Sequence, residues 1–135
     1  MTDLNFEDII GRYFNLNLKK NNYRIYVEEA GQGTPLLCLH TAGSDGRQFR
    51  HILNDKRITN NYRVIVFDLP WHGKSNPPEG YELKEYKLTT NLYKEIIISF
   101  CKQYKLIDPV IMGCSMGGRV VLHLALEHCD YFKAV

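Results

Sequence analysis

Val110-Ile111-Met112-Gly113-Cys114-Ser115-Met116-Gly117-Gly118, followed by Val120-Val121-Leu122-His123-Leu124-Ala125-Leu126, places a short apolar run, a serine between glycines and a stretch of helical length in immediate succession. Gly-x-Ser-x-Gly is a short pattern that arises by chance, so its weight comes from this strand-turn-helix setting. A serine on so sharp a turn needs strained backbone, and Gly113 and Gly117 remove the side chains that would collide on either side of it. The turn lifts the Ser115 hydroxyl above the sheet edge and aims a helix N-terminus at it, where amide hydrogens can stabilise an oxyanion. Ser115 is therefore the candidate nucleophile.

Outward from this turn, strand and helix signals alternate. Leu92, Ile96, Phe100 and Tyr104 recur at i+4 spacing, with Tyr93 and Ile97 widening the stripe, which predicts a helix with one buried face. Asp108-Pro109 ends it. Pro77, Pro78 and Gly80 mark the loop before it. Leu36-Leu37-Cys38-Leu39 and Val64-Ile65-Val66-Phe67 are continuous apolar runs, the signature of strands buried on both faces. Between them Asp45 is placed to cap a short helix carrying Phe49, Ile52 and Leu53. Tyr13 to Lys19 and Tyr23 to Glu29 alternate with period two around Lys20-Asn21-Asn22, which predicts an N-terminal hairpin. The expectation is an α/β fold: a β-hairpin, then parallel strands alternating with helices that cover both faces of the sheet.

The chain has 135 residues, 44% hydrophobic and 24% charged, which suits one globular domain or part of one. Its 17 basic and 15 acidic side chains give a formal charge of +2 and are scattered, so nucleic acid is not an expected partner. The opening Met1-Thr2-Asp3-Leu4-Asn5-Phe6-Glu7-Asp8 is acidic where a signal peptide is basic. Val64-Ile65-Val66-Phe67 and Ile96-Ile97-Ile98 fall far short of the roughly 20 apolar residues of a membrane span. Cys38, Cys101, Cys114 and Cys129 lie far apart without metal-ligand spacing and are read as free thiols in a reducing cytoplasm, with Cys114, pointing away from the Ser115 side of its strand, expected to be packed. No membrane association, metal or cofactor is expected.

Three segments in order resemble the α/β-hydrolase family. Leu39-His40-Thr41-Ala42-Gly43-Ser44 is similar to its His-Gly loop after the third strand. Asp68-Leu69-Pro70-Trp71-His72-Gly73-Lys74-Ser75 is similar to its Asp-x-Pro-Gly-His-Gly-x-Ser loop after the fourth, and the turn at Ser115 is similar to its nucleophile elbow after the fifth. Thr41 and Trp71 stand where the family usually has glycine. The resemblance implies that Ala42 and Met116 supply the backbone amides of an oxyanion hole. It gives His40 a packing and loop-bonding role, and leaves Trp71 and His72, with His40, as a candidate border of the pocket or as fixtures of their own turns. Asp68 is expected to bond amides of its own loop.

In this family the triad runs Ser, then Asp or Glu, then His. His123 lies eight positions along the Ser115 helix, about 12 Å of rise, too far for a hydrogen bond. His128 and Asp130 are farther, and Tyr131-Phe132-Lys133-Ala134-Val135 falls where a sixth strand begins. The expectation is that residues 1–135 are the N-terminal part of a single hydrolase domain, inactive alone. The implied chemistry is attack of Ser115 on a small-molecule ester or thioester through an acyl-enzyme. Carbon-carbon bond hydrolases and cofactor-free perhydrolases of the same family share the elbow, and a non-catalytic binding protein on the same shell is the alternative from another class. A haloalkane dehalogenase is disfavoured because it carries aspartate at the Ser115 position.

Overall fold

A computed structural model describes residues 4–135, so the reading of Met1-Thr2-Asp3 lies outside the described residues. Five strands, β1 (Ile10–Leu18), β2 (Asn21–Ala30), β3 (Thr34–Leu39), β4 (Tyr62–Phe67) and β5 (Val110–Gly113), form one sheet in the order β1-β2-β4-β3-β5. β1, β2 and β4 pair antiparallel, whereas β4, β3 and β5 run parallel. The sheet is thus mixed, with the expected hairpin leading into the parallel part.

The hairpin is longer than its alternation suggested. Leu18 pairs with Asn21, so the turn is Lys19-Lys20 rather than Lys20-Asn21-Asn22, and Lys19 takes φ +56° to make it. β2 also projects beyond the end of β4, because Val27 already pairs with Phe67. The overhang is held by loop backbone: the Asp68 amide donates to the Tyr26 carbonyl and the Asn76 amide to that of Arg24.

The apolar runs of β3 and β4 are explained by two cores. Leu37, Leu39, Ile65 and Phe67 face one core with Ile96, Ile97 and Phe100, on the side of α3 (Thr90–Gln103) and α4 (Met116–Glu127). Leu36, Cys38, Val64 and Val66 face the other, with Phe49 and Leu53. A half-exposed sheet would alternate with polar residues there; both faces are covered, so every position is apolar. Asp45 accepts from the Arg47 amide and starts a single 3-10 turn, Gly46–Phe49, which runs into α1 (Arg50–Asn54). Asp55 then caps a further short helix, α2 (Lys56–Thr59), which apolar periodicity does not mark because it is only four residues long. Thr89 caps α3 by accepting from the Leu92 amide, and Tyr104 lies just beyond its end.

β5 is an edge strand, but its edge is not wholly open. Ala134 makes an isolated parallel bridge with Val110, the Ile111 amide donating to the Ala134 carbonyl at 3.0 Å. The segment expected to begin a sixth strand therefore already lies against β5. No described helix is long and apolar enough to cross a membrane.

Candidate active site

Because β4, β3 and β5 are parallel, the loops after them emerge at one edge of the sheet: Asp68–Ser75 after β4, His40–Ser44 after β3, and Cys114-Ser115 after β5. The three segments singled out in the sequence thus meet at the carboxyl edge.

Ser115 joins β5 to α4 with φ +52° and ψ −111°. A non-glycine residue held there stores on the order of 1–3 kcal/mol of backbone strain. The surrounding glycines are required by contact. A Cβ on Gly113 would meet the Gly117 carbonyl carbon at 2.4 Å, and one on Gly117 would meet the Leu39 carbonyl oxygen at 2.4 Å. The turn is pinned to β3 by the Cys114 amide, which donates to Leu39. Ser115 itself is exposed, and among the described residues its hydroxyl has no hydrogen-bond partner. The amides of Ala42 and Met116 likewise lack an acceptor among the described residues, as the amides at a helix N-terminus do.

The loop after β3 is held by its neighbours. The Thr41 amide donates to Gln48 Oε1 at 2.9 Å, and the left-handed position falls on Gly43 (φ +67°), so Thr41 in place of glycine brings no strain. His40 is fully buried. Its Nδ1 lies 2.9 Å from the Thr41 carbonyl and its Nε2 accepts from the Leu69 amide at 3.1 Å, which fixes the proton on Nδ1. Burial lowers its pKa. With both nitrogens engaged, His40 ties the loop after β3 to the loop after β4. The His72 ring lies beside it, tilted by 51° with centroids 5.1 Å apart, and bonds the Pro70 carbonyl through Nδ1.

Asp68 reaches farther than expected. One oxygen accepts from the Lys74 amide of its own loop at 2.8 Å, while the other accepts from the Gly46 amide at 2.7 Å and so bridges to the 3-10 turn. Ser75 completes the loop by donating to the Asp68 carbonyl and accepting from the Tyr26 amide. Trp71 explains why its position favours glycine: φ is +66°, a left-handed conformation that costs a bulky side chain strain. Its indole is 48% exposed and packs against Tyr81 and Tyr86, at 5.2 and 5.9 Å between ring centroids. These two tyrosines lie in the loop between Pro78 and Thr89 and had no motif to signal them.

Cys114 is corrected. It was expected to be packed, and it is exposed, because the chain leaves β5 immediately before it and turns outward. Cys129 is exposed too, beyond the end of α4. Cys38 and Cys101 are buried, and burial pushes their thiols up to about 12. His123 lies within 3.9 Å of Glu127 and His128 ends α4, so neither stands beside Ser115.

An open α/β sheet with a glycine-bound, left-handed serine at its carboxyl edge defines a class of fold, and the comparisons agree with it. The sequence profile of the alpha/beta hydrolase fold family matches residues 34–135, and the chain belongs to that family. It is similar to pimeloyl-[acyl-carrier protein] methyl ester esterase of Vibrio vulnificus, 29% identical over 79% of this chain and 37% of the esterase. It is also similar to the magnesium-chelatase 30 kDa subunit of Rhodobacter capsulatus, 33% identical over 70% of this chain and 31% of that protein. Among solved structures, an epoxide hydrolase from Vigna radiata matches with a TM-score of 0.78 at 21% identity, over 94% of this chain and 38% of that one. The chain spans about a third of the length of these relatives, from 31% to 38%.

Proposed function

We propose that this chain carries the nucleophile half of a serine hydrolase, with Ser115 attacking the carbonyl of a small-molecule ester or thioester. The observation that carries this is the backbone of Ser115, strained to φ +52° between β5 and α4. In the proposed reaction the Ser115 oxygen bonds the carbonyl carbon, and the oxyanion is held by the amides of Ala42 and Met116. The alcohol or thiol leaves with a proton, and water then releases the acid from the acyl-enzyme. The chemistry needs no cofactor, and the name of the Vibrio esterase supports ester cleavage. His40 serves as a clamp between loops rather than as the base, since both its nitrogens are bonded. A downstream Asp or Glu and a later His are required to complete the triad.

The test compares wild type with Ser115→Ala in a chain where these 135 residues are followed by such an acid and histidine. Hydrolysis of p-nitrophenyl acetate is expected to fall by about a million-fold in kcat. A rate that survives the substitution overturns the nucleophile. The 135-residue chain alone is expected to show only background hydrolysis. If it turns over in a Ser115-dependent manner, His72, whose Nε2 has no hydrogen-bond partner among the described residues, is the base to replace first.

A further inference from the structure

We propose that the outer edge of β1, at Gly11, Tyr13 and Asn15, docks an extended acidic peptide of a partner protein as an added strand of the sheet. This edge stands apart from Ser115, since β1 and β5 lie at opposite ends of the strand order. Along an antiparallel ladder, alternate residues turn their amide and carbonyl toward one neighbouring strand and the rest turn theirs away. In β2, Arg24 and Tyr26 give their backbone groups to the loop after β4, so Tyr23, Ile25 and Val27 face β1. Their partners are Leu16, Phe14 and Arg12, which leaves Gly11, Tyr13, Asn15 and Asn17 turned outward. Asn17 is already served: Gln103 donates to its carbonyl at 2.7 Å and accepts from its amide at 3.1 Å. The amides and carbonyls of Gly11, Tyr13 and Asn15 have no partner on that side among the described residues.

Edge strands are normally blunted by proline, a bulge, charge or a covering segment. β1 pairs with β2 without a bulge from Ile10 to Leu18 and contains no proline. Its one charged side chain, Arg12, is drawn to Glu29 of β2, and the residues before it turn off toward α2, where Asp8 pairs with Lys56. Gly11 has no side chain to obstruct a neighbour, because the Tyr26 hydroxyl lies where a Cβ would stand.

Charge decides the occupant. On one face of the hairpin the Arg24 guanidinium lies 3.3 Å from the centre of the Tyr13 ring, with Asn76 as its hydrogen-bond partner and no carboxylate paired to it among the described residues. Lys74 and Glu28, which both bond the Tyr26 hydroxyl on that face, offset each other. On the other face Arg12 and Arg63 share the single carboxylate of Glu29. Among these side chains, each face is left with one positive charge more than its carboxylates balance. A second copy of this chain would bring its own Arg12 and Arg24 to the same edge, like charge against like charge. A strand bearing glutamate or aspartate pairs its backbone with β1 and its side chains with these cations.

The probe is a heptapeptide with blocked ends that alternates valine and glutamate, compared with the same peptide carrying lysine for glutamate. In hydrogen exchange followed by 1H-15N spectra, saturating glutamate peptide is expected to slow the Gly11, Tyr13 and Asn15 amides by at least about ten-fold. The amides of Arg12 and Phe14, turned to β2, and of Asn17, held by Gln103, should change little. Dissociation constants should be on the order of 100 μM at low salt and should rise with ionic strength. Arg24→Gln, an exposed change that leaves the backbone in place, should weaken binding about three- to ten-fold. Equal binding of the lysine peptide, unslowed exchange at the three amides, or an affinity unmoved by Arg24→Gln overturns the site. Protection of the same amides that grows with protein concentration in the absence of peptide overturns the acidic partner in favour of a second copy.

Discussion

A side chain on Gly113 has nowhere to go because the carbonyl of Gly117 stands against it, its oxygen 2.5 Å from where a Cβ would sit. The two glycines, one ending β5 and one inside the first turn of α4, touch across the serine between them, and that contact sets how sharply the chain turns. Gly113→Ala must push α4 away from β5 or unwind its first turn. Overpacking of this kind typically costs about 1–3 kcal/mol, and here backbone rather than a flexible side chain is the obstacle. Urea unfolding should show a loss of at least about 2 kcal/mol. A variant as stable as wild type would mean that the elbow opens freely.

His40 makes stability depend on pH. Its imidazole is neutral, accepts the Leu69 amide through Nε2, and has its pKa lowered by burial. A histidine whose folded pKa lies below its unfolded value binds its proton more readily when unfolded. Its contribution is therefore complete above about pH 6.5 and is lost as pH falls through the lowered folded value. His40→Gln should cost about 1–3 kcal/mol at pH 8 by disturbing a buried hydrogen-bond pair. It should also lose stability less steeply than wild type below pH 6.5. Parallel curves of unfolding free energy against pH would remove His40 from the account.

Asp68 joins two loops, and the amides it serves report on that separately. Asp68→Asn leaves one acceptor oxygen for two amide donors, Gly46 and Lys74. The expected loss is about 1–3 kcal/mol, with faster hydrogen exchange at one of the two amides and little change at the Tyr26 amide, which Ser75 holds. Unchanged exchange at both amides would show that the carboxylate bonds are dispensable.

The elements that were legible in the sequence are those whose cause is local. The β5-turn-α4 unit could be read because glycine, serine and apolar periodicity each had one physical reason to stand there, and β3 and β4 because burial on both faces demands unbroken apolar runs. The hairpin ends were misplaced because the Lys19-Lys20 turn uses a left-handed lysine instead of glycine or asparagine. Asp68 bonding Gly46 could not be read, since nothing in either segment states that the two loops meet. Cys114 was misplaced because strand alternation was carried past Gly113, where the strand ends. The partners of Trp71 were invisible for the same reason as the Asp68 bridge: Tyr81 and Tyr86 come from a loop without periodicity.

Trp71→Gly offers a separate reading of strain. Glycine takes φ +66° freely, while little packing is lost with a half-exposed indole. Against the larger entropy of glycine in the unfolded chain, the net expectation is a gain of about 1 kcal/mol. A loss of that size in thermal or urea unfolding would show instead that the contacts with Tyr81 and Tyr86 outweigh the backbone cost.

The outer face of α4 is the expected site of self-association in solution. Leu122 and Leu126, one turn apart on the same face, are 66% and 84% exposed, and Ile107 and Val135 are exposed as well. Beside them β5 has its outer edge met by the single bridge at Ala134, so further backbone groups on that side stand open to pairing. Exposed leucines beside an incompletely paired strand favour association with a second chain. Sedimentation equilibrium on the 135-residue chain, under reducing conditions because Cys114 and Cys129 are exposed, should reveal concentration-dependent oligomers. Leu122→Lys combined with Leu126→Lys should shift the population toward monomer without loss of helix content, since neither side chain contributes to the core. A wild-type chain that stays monomeric, or a double variant that associates as strongly, would show that this face is not the one that drives association.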